Sequence, residues 1–389
     1  MAPYAIIFVP CRECTHMAER WPVLLMARAL DLGGSERQLA ATARTLDRER
    51  FEPHVGCYHP EGIRAAELRA AGIPIVSFGI RSFRSPSLLT GAWQMSAYLR
   101  RHRIALVHPF DYPTVIFGVP VARLSGTPVV LSSQRGERAF FSRAWQRVFQ
   151  WTDRLVDGVV VNSDFIRREL IESQGVPAHR VHLCYNGLDT GTFHAEDRRR
   201  MPGLAEAACV IGSVSVLRPE KSLDTLIAAF ARLRPDHPGL KLAIVGSGES
   251  RDVLVAEAKR LGILDDCVFQ PATANVADWY RSMDIYVLPS LSEAFSNALM
   301  EAIACGCCPV ASNVGGNPEM VRDGDNGLLF EPGNAVELAA KLSLLIGRPE
   351  LRAEMKAVGR RTIQETFTLD RAAARMGAIY QQFLTRNAG

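Results

Sequence analysis

Short, continuously apolar runs alternate with helix-period segments along most of the chain, and this pattern constrains the fold more than any other feature. Parallel strands are covered by helices on both faces and are therefore apolar throughout, whereas half-exposed strands alternate polar and apolar residues. Such runs occupy residues 23–30, 53–58, 73–78, 105–110, 128–133, 158–163, 181–186, 209–217, 241–248, 267–272, 284–290, 308–313 and 327–332. The pattern predicts an α/β fold with two Rossmann-like, doubly wound parallel-sheet domains that face each other across a cleft.

A polar stretch at residues 189–203 separates the two series of runs. It contains three consecutive arginines, a proline and a glycine, which is typical of a linker between domains. The chain ends in two helical segments, 334–347 and 350–386, and the second is interrupted near residues 366–370. Two similar domains predict a ligand bound between them, at the carboxyl ends of the strands.

Charge is distributed unevenly along the 389 residues. The first 200 residues hold 26 arginines, no lysine and 19 acidic residues, whereas the remainder holds 19 basic and 22 acidic residues. A basic half indicates either an anionic partner, such as phosphate or a lipid head group, or an ordinary solvated surface. Nucleic acid is not expected, since no nucleic-acid-binding motif accompanies the charge.

The sequence contains neither a membrane span nor a disulfide framework. Its apolar segment at residues 4–10 is much shorter than the ~20 residues that cross a bilayer, so we expect a cytoplasmic protein. Nine cysteines in mostly apolar settings indicate reduced, buried thiols. The pairs Cys11/Cys14 and Cys305/Cys308 leave a zinc site as the alternative, but we expect no bound metal.

Glycines follow several strands where a ligand is expected. Gly33 and Gly34 join the first strand to its helix, and Gly246 ends a strand of the second series. Glycine lets a ligand approach the backbone, and a helix N-terminus attracts anions, although turn geometry alone also selects glycine there. The spacing matches neither the dinucleotide fingerprint nor the P-loop, which argues against a dehydrogenase and an ATPase.

Lys221 lies at a helix start, where a cation opposes the helix dipole. In the cleft it could neutralise a diphosphate, and Arg218 could assist, although surface solvation is the alternative for Arg218.

The segment SEAFSNALMEAIA at residues 292–304 places two carboxylates around one helix start. Ser296 or Asn297 is a good N-cap, which puts Glu301 about one turn into the helix and Glu293 before it. The backbone amides from Phe295 to Ala298 would be unpaired donors at the positive helix end. These groups suit a phosphorylated sugar, with amides for its phosphate and carboxylates for vicinal hydroxyls.

From about Pro22 onward the chain resembles the family-four retaining glycosyltransferases (group 1 type), which have the B-type fold of two Rossmann-like domains. The resemblance is carried by Glu293 and Glu301 and by the motifs GGSER at 33–37, YNGLD at 185–189, RPEKSLD at 218–224 and VGGNPE at 314–319. It implies an acceptor-binding domain at 1–195, with residues 1–20 as an extension of unknown role. It further implies a donor-binding domain at 196–367 and a helix at 368–389 that returns to the first domain.

The resemblance also implies the roles of site residues. Glu301 would bind the ribose hydroxyls, and Glu293 the donor sugar together with Phe295, Ser296 and Asn297. Lys221 would contact the diphosphate, with Gly34 closing over it. Gln270, Pro271 and Ala272 would lie near the base.

The sequence departs from the family pattern at positions expected to contact the diphosphate and the acceptor. Val216 stands where an arginine is common, so Arg218 is a candidate substitute. Gln134 or Arg135 occupies the place of a frequent active-site histidine. His108, at a strand end expected to face the cleft, is a candidate acceptor contact or a structural histidine. Asp323-Gly324-Asp325 mimics a metal-binding motif, but its setting predicts a turn.

The implied activity is retaining transfer of a sugar from a nucleotide-diphospho-sugar to a glycan, a lipid-linked or a small-molecule hydroxyl, without metal or cofactor. UDP-sugars are favoured as donors, then GDP-sugars. Alternatives are a nucleotide-sugar epimerase of the same fold and a non-catalytic sugar-nucleotide-binding protein. Arg135, Arg138, Arg143 and Arg147 raise the further hypothesis of an anionic membrane surface at the inner face of the cell membrane.

Overall fold

The structure is a computed structural model that describes residues 20–31, 33–138 and 141–386. The apolar segment 4–10 and the Cys11/Cys14 pair lie outside the described residues. In the described ranges, no helix is long and apolar enough to cross a membrane.

The first sheet has seven parallel strands in the order β3-β2-β1-β4-β5-β6-β7. Its strands are β1 (Trp21–Ala27), β2 (Phe51–Cys57), β3 (Ile75–Ser77), β4 (Leu106–Pro109), β5 (Val129–Gln134), β6 (Gly158–Val161) and β7 (Val181–Leu183). Its helices are α1 (Gly34–Thr45), α2 (Ile63–Ala70), α3 (Ser87–Arg101), α4 (Tyr112–Leu124), α5 (Arg143–Leu155) and α6 (Asp164–Arg168), which continues as a π-helical turn, Glu169–Ser173; a 3₁₀ turn, Ala178–Arg180, leads into β7.

The second sheet has six parallel strands in the order β10-β9-β8-β11-β12-β13. Its strands are β8 (Cys209–Val214), β9 (Leu240–Val245), β10 (Cys267–Gln270), β11 (Ile285–Leu288), β12 (Cys308–Ser312) and β13 (Leu328–Phe330). Its helices are α7 (Leu223–Leu233), α8 (Arg251–Arg260), α9 (Val276–Ser282), α10 (Asn297–Ala304), α11 (Asn317–Met320), α12 (Ala335–Gly347) and α13 (Pro349–Thr366), with 3₁₀ turns at Pro219–Lys221 and Leu264–Asp266.

Both sheets are buried on both faces, which explains the continuous apolar runs. In β1, Val23 and Leu25 pack in a core with α1 and α2, whereas Leu24 and Met26 pack in another core with α3 and α4. The second sheet is likewise sandwiched, by α7, α8 and α12 on one face and α9 and α10 on the other. The predicted fold class is confirmed, and each predicted run overlaps one strand of the structure.

The chain order reverses between β1 and β4 in one sheet and between β8 and β11 in the other. Loops on the two sides of such a reversal diverge, which opens a crevice at the carboxyl ends of the strands. Helix caps fix the chain at these points: Asp111 accepts the Thr114 amide at 2.9 Å at the start of α4, and Ser296 accepts the Leu299 amide at 3.3 Å at the start of α10.

The predicted linker is held against the second sheet. Arg198 and Arg200 bind the two carboxylate oxygens of Asp284 at 2.5 and 2.7 Å, and Arg199 binds Asp278 at 3.1 Å. These ion pairs fix the arginine run to residues just before β11 and at α9, so this segment moves with the second sheet.

The last helix, α14 (Leu369–Arg386), packs on the first sheet. Its residues Met376, Ile379 and Tyr380 belong to the core that contains β1 and α1. The interruption predicted near residues 366–370 is present, because α13 ends at Thr366 and α14 begins at Leu369.

Candidate donor and acceptor sites in the cleft

The ends of the two sheets enclose a cavity of about 410 Å³. It is lined by Gly34 and Arg37 from α1 and by second-sheet residues that include Lys221, Gly246, Glu293, Phe295, Ser296, Asn297, Ala298 and Glu301. A neighbouring cavity of about 680 Å³ shares Arg37 and Glu301, and a smaller one of about 150 Å³ lies beside Ser133 and Arg135. Most of the predicted donor-binding residues therefore line one space.

Glu301 lies in α10 with its side chain buried. The Tyr280 hydroxyl donates a hydrogen bond to Oε2 at 3.0 Å, and the Arg37 guanidinium contacts Oε1 from the other side of the cleft. Burial raises the pKa of Tyr280 well above its usual value, so the phenol keeps its proton and can donate. The carboxylate is thereby fixed at the edge of both cavities, with lone pairs that neither partner uses.

Lys221 and Glu293 form an ion pair that lines the same cavity. The Lys221 Nζ lies 2.6 Å from Glu293 Oε1, and the Ser290 hydroxyl donates to the same oxygen at 2.8 Å. Both charged side chains are mostly buried. An anion that enters here meets an ammonium group whose present partner is a single carboxylate.

The start of α10 lies between Glu293 and Glu301. The first turn of a helix leaves its backbone amides without intrahelical partners and carries the positive end of the dipole. Asn297 Oδ1 accepts from Asn186 Nδ2 at 2.9 Å and from Gln38 Nε2 at 3.3 Å. The helix start is thus connected to two segments that follow strands of the first sheet.

The close approach of α1 to α10 at this contact favours a glycine at position 34. A Cβ on Gly34 would lie 3.1 Å from Asn297 Nδ2, so a larger residue would separate α1 from α10. Gly33, by contrast, does not line the cavity, and its Cβ position is filled by the Glu36 carboxylate at 2.0 Å.

Gly246 brings two strand-end loops together. It has φ +149°, and a Cβ there would lie 1.9 Å from the Ser215 carbonyl oxygen. Its amide donates to the Gln270 carbonyl at 2.8 Å, so Gln270 supports this loop through its backbone. Gln270 and Pro271 do not line the cavity, whereas the following residues, Ala272 and Thr273, do.

The VGGNPE segment supports the Glu293 loop and joins the two sheets. Gly315, at φ +54°, packs directly against the Glu293 backbone, and the Gly316 amide donates to the Glu293 carbonyl at 3.2 Å. The Glu319 carboxylate accepts the amides of Asp164 and Phe165 at 2.8 and 2.9 Å. Glu319 therefore caps α6 of the first sheet from the second.

The prediction that His108 faces the cleft is wrong. The ring is fully buried, with Nδ1 2.7 Å from the Tyr380 hydroxyl and Nε2 2.8 Å from the Ser133 hydroxyl. Burial lowers the pKa of His108 well below its usual value, so the ring is neutral. His108 ties α14 to the first sheet, which is the structural alternative.

Gln134 and Arg135 occupy different environments at the end of β5. Gln134 is fully buried, and neither of its side-chain polar atoms has a hydrogen-bond partner among the described residues. Arg135 lines the small cavity beside Ser133, donates to Asn186 Oδ1 at 2.7 Å and stacks 4.6 Å from the Phe110 ring centre. Burial lowers the pKa of Arg135 to about 10. Arg135, rather than Gln134, reaches a space that an acceptor could enter.

Arg218 does not line the cavity, contrary to its predicted catalytic placement. Its side chain is 60% exposed, and its nearest carboxylate is Glu220 at 3.8 Å. A 3₁₀ turn over Pro219–Lys221 directs Lys221 inward and leaves Arg218 at the surface.

The described residues provide no metal centre. None of their His, Cys, Asp and Glu side chains form a group of three or more that could hold an ion. Asp323 accepts the Leu329 amide at 2.8 Å, and Gly324 has φ +79°, which confirms that this segment is a turn. Cys305 and Cys308 are buried free thiols.

Sequence reasoning missed Arg37, Tyr280, Asn186 and the capping role of Glu319. Arg37 carried a usable signal, because a cation in the first turn of a helix opposes the dipole, as at Lys221. Asn186 and Glu319 lie in the motifs YNGLD and VGGNPE, but their contacts, like those of Tyr280, depend on which distant segments meet.

Comparisons with known proteins agree with this architecture. The model of "Glycosyltransferase Family 4" matches residues 32–192, and that of "Glycosyl transferases group 1" matches residues 195–362, which together span most of the chain. Two D-inositol 3-phosphate glycosyltransferases are similar over part of their length. The one from Rhodococcus erythropolis is 32% identical over 67% of this chain and 59% of its own, and the one from Streptomyces bingchenggensis is 30% identical over 72% and 62%.

The chain spans somewhat more than half the length of these curated relatives. Among solved structures, HepE of Anabaena in complex with UDP and glucose has a TM-score of 0.81 at 22% identity, over 92% of this chain and 99% of its own. Sucrose-phosphate synthase of Thermosynechococcus elongatus has a TM-score of 0.78 at 21% identity, over 94% and 100%. Together, the matched models and the two facing sheets show that this chain belongs to the group 1 glycosyltransferases, with the B-type fold.

Proposed function

We propose that the protein is a retaining glycosyltransferase that moves a sugar from a nucleotide-diphospho-sugar to a hydroxyl of a glycan, a lipid-linked or a small-molecule acceptor. The observation that carries this proposal is the arrangement of Glu301, the start of α10 and the Lys221–Glu293 pair along one cavity of about 410 Å³. A nucleotide-sugar presents a ribose diol, a diphosphate and a sugar, and these groups of the cavity match the three chemistries.

Each part of the cavity suits one part of the donor. Glu301, held by Tyr280 and Arg37, would accept hydrogen bonds from the ribose hydroxyls. The α10 amides and Lys221 would bind the diphosphate, since a helix N-terminus and an ammonium both stabilise phosphate charge. Glu293 would then be released from Lys221 to bind the donor sugar.

The reaction follows from this placement. The bond between the anomeric carbon and the phosphate oxygen breaks, and the acceptor oxygen bonds to the same face of that carbon. The acceptor proton passes to a phosphate oxygen of the departing nucleoside diphosphate. Lys221 and the helix dipole stabilise the leaving charge. Arg135, in the small cavity of about 150 Å³, orients the acceptor. The donor is a substrate, and we propose no bound metal or cofactor.

UDP-sugars are the favoured donors, with GDP-sugars next. HepE, which shares the fold, was crystallised with UDP and glucose. The relatives in Rhodococcus and Streptomyces are named for transfer to D-inositol 3-phosphate, which supports a small hydroxylated acceptor as one of the classes to test.

The decisive experiment measures release of nucleoside diphosphate from UDP- and GDP-sugars across an acceptor panel. Glu301→Ala is expected to weaken donor binding by ~10-fold or more, because the hydrogen bonds lost are charge-assisted. Glu257→Ala, at an exposed ion pair of α8 with Arg260, is the matched control. Undiminished donor binding in Glu301→Ala would refute the site assignment.

The same experiment distinguishes the two alternatives. A nucleotide-sugar epimerase converts the donor without any acceptor, which product analysis by NMR would detect. A non-catalytic binder retains affinity for the donor but turns over none of the acceptors.

The structure divides the four arginines of the membrane hypothesis into two pairs. Arg138 is buried in an ion pair with Asp153 at 2.5 Å, and Arg135 lies in the cleft, so neither faces a membrane. Arg143 and Arg147 are exposed on α5, as is Arg154, and none of the three forms an ion pair with a described residue.

Exposed aromatic residues accompany these arginines. Trp145 and Trp151 on α5 are 43% and 49% exposed, and Trp93 on α3 is 71% exposed. Helix α4 lies between these two helices, since it contacts both α3 and α5. We propose that this layer binds an anionic membrane, because arginine attracts acidic head groups and tryptophan favours the interface.

Liposome flotation at low salt tests this part. Arg143→Glu/Arg147→Glu is expected to abolish flotation with anionic vesicles, whereas Arg360→Glu/Arg361→Glu, an equal charge change on exposed α13 residues, leaves it unchanged. A wild-type protein that does not float with anionic vesicles would refute membrane binding without affecting the transferase proposal.

A further inference from the structure

We propose that Arg37 is a positioning residue that holds Glu301 for the donor ribose and makes this hold depend on the docking of α1 against α10. The inference rests on the proposed function of the same cavity. It adds a contribution to ribose recognition from the first domain, on the far side of the cleft from Glu301, Lys221 and Glu293.

The contact joins two elements that are distant in sequence. Arg37 lies in the first turn of α1, and its guanidinium reaches Glu301 in α10. Tyr280 holds the other carboxylate oxygen at 3.0 Å. A carboxylate accepts about four hydrogen bonds, so these two partners leave about two positions, which is what a vicinal diol needs.

Arg37 does not need to leave for ribose to bind. Since two acceptor positions are unused, the guanidinium can remain in place and keep Glu301 correctly turned while the ribose approaches the part of the carboxylate that lines the cavity. Because Glu301 is buried, removal of Arg37 would leave a buried carboxylate whose charge has no cationic partner. A carboxylate in that state gives up its charge or turns away, and either change weakens ribose binding.

The position of Arg37 is fixed by its neighbours on the same helix face. Gly34 and Gln38, three residues before and one after it, both contact Asn297 at the start of α10. Gln38 also exchanges two hydrogen bonds of 3.1 Å with the backbone of Gly187. Arg37 therefore reaches Glu301 only when this face of α1 lies against α10. The affinity for ribose then depends on closure of the cleft.

Calorimetric titration with UDP and 2′-deoxy-UDP provides the test. Wild type should prefer UDP, because Glu301 accepts from the 2′-hydroxyl. Arg37→Met should weaken UDP binding about tenfold, the loss of a charge-assisted interaction. Its affinity for 2′-deoxy-UDP should fall much less, so the preference for UDP shrinks.

Three further variants separate positioning from a general structural effect. Arg37→Lys should restore part of the preference, since a cation again faces Glu301. Arg37→Met combined with Glu301→Gln should weaken UDP binding by much less than the product of the single effects, because both remove the same interaction. Arg44→Met, at an exposed position two turns further along α1, should match wild type.

The outcomes are distinguishable. Unchanged preference for UDP in Arg37→Met refutes the inference and leaves the proposed function standing. Tighter UDP binding in Arg37→Met refutes it too, because Arg37 would then compete with ribose. A wild-type protein without affinity for UDP refutes this inference together with the UDP-sugar proposal.

Discussion

The two sheets share one strand order but use their carboxyl ends differently. At the end of the second sheet, Lys221 and Glu293 line the open cavity with Glu301. At the corresponding end of the first sheet, His108 and Gln134 are fully buried. The same topological position therefore predicts a nearby ligand but not whether a particular side chain reaches it.

The difference lies in the backbone that follows each strand. In the second sheet, Gly246 and Gly315 let neighbouring loops pack closely, and Ser296 starts a helix that faces the cleft. In the first sheet, α14 returns from the other domain, and its Tyr380 binds His108 from the core side. The strand ends of the second sheet thus supply most of the donor cavity, while those of the first sheet also secure the connection between the domains.

The largest expected effect is at Lys221. Lys221→Met removes the cation that we propose stabilises the leaving diphosphate, and we expect kcat to fall by roughly 10²–10³-fold. Steady-state release of nucleoside diphosphate measures it. Lys241→Met, which removes an ion pair with Asp266 at 3.0 Å outside the cavity, should leave kcat within a factor of two of wild type, about 0.4 kcal/mol.

A Lys221→Met enzyme with wild-type kcat would show that the diphosphate is stabilised by the α10 amides alone. The second domain would then bind the diphosphate through backbone amides, and the ion pair of Lys221 with Glu293 would be structural.

The next effect concerns the junction of the two sheets. Glu319→Gln weakens the cap on the amides of Asp164 and Phe165, and we expect a loss of about 1 kcal/mol in the free energy of unfolding. Hydrogen exchange at these two amides should accelerate. Glu365→Gln, at an exposed position of α13, is the control and should change neither. Unchanged exchange at residues 164 and 165 would contradict the capping role.

A pH-dependent effect, absent near neutral pH, is expected at His108. Burial lowers its pKa well below 6.5, so the folded protein keeps the ring neutral while the unfolded chain takes up a proton below about pH 6.5. Stability is then independent of this group at higher pH and falls as pH drops from 6.5 toward 5, by up to about 1.4 kcal/mol per pH unit.

Chemical denaturation at several pH values tests this sign. His108→Gln should reduce the slope in that window. The buried His54 and the half-buried His182, whose pKa values are also lowered, should maintain the rest. His59→Gln, at an exposed position, should leave the slope unchanged. A slope that persists in full in His108→Gln would contradict the assignment.

The fold was predictable because a parallel strand buried on both faces must be apolar at every position. The donor site was predictable where its residues are neighbours in sequence, as Glu293, Ser296 and Glu301 are. Contacts across the cleft were not, because Arg37 meets Glu301 only through the relative placement of two sheets. His108 could have been placed better: Leu106 and Phe110, two positions away on either side, are core residues of the face that α14 covers.

The smallest effect is expected at Arg218. Its side chain is 60% exposed and 3.8 Å from Glu220, so Arg218→Ala should change kcat/KM by less than about twofold, as expected for a solvated surface ion pair. Donor-dependent release of nucleoside diphosphate at subsaturating donor measures this ratio directly. A loss of tenfold or more would mean that Arg218 turns into the cavity when the diphosphate arrives. Val216, exposed at the rim of that cavity, would then leave the space through which the guanidinium moves.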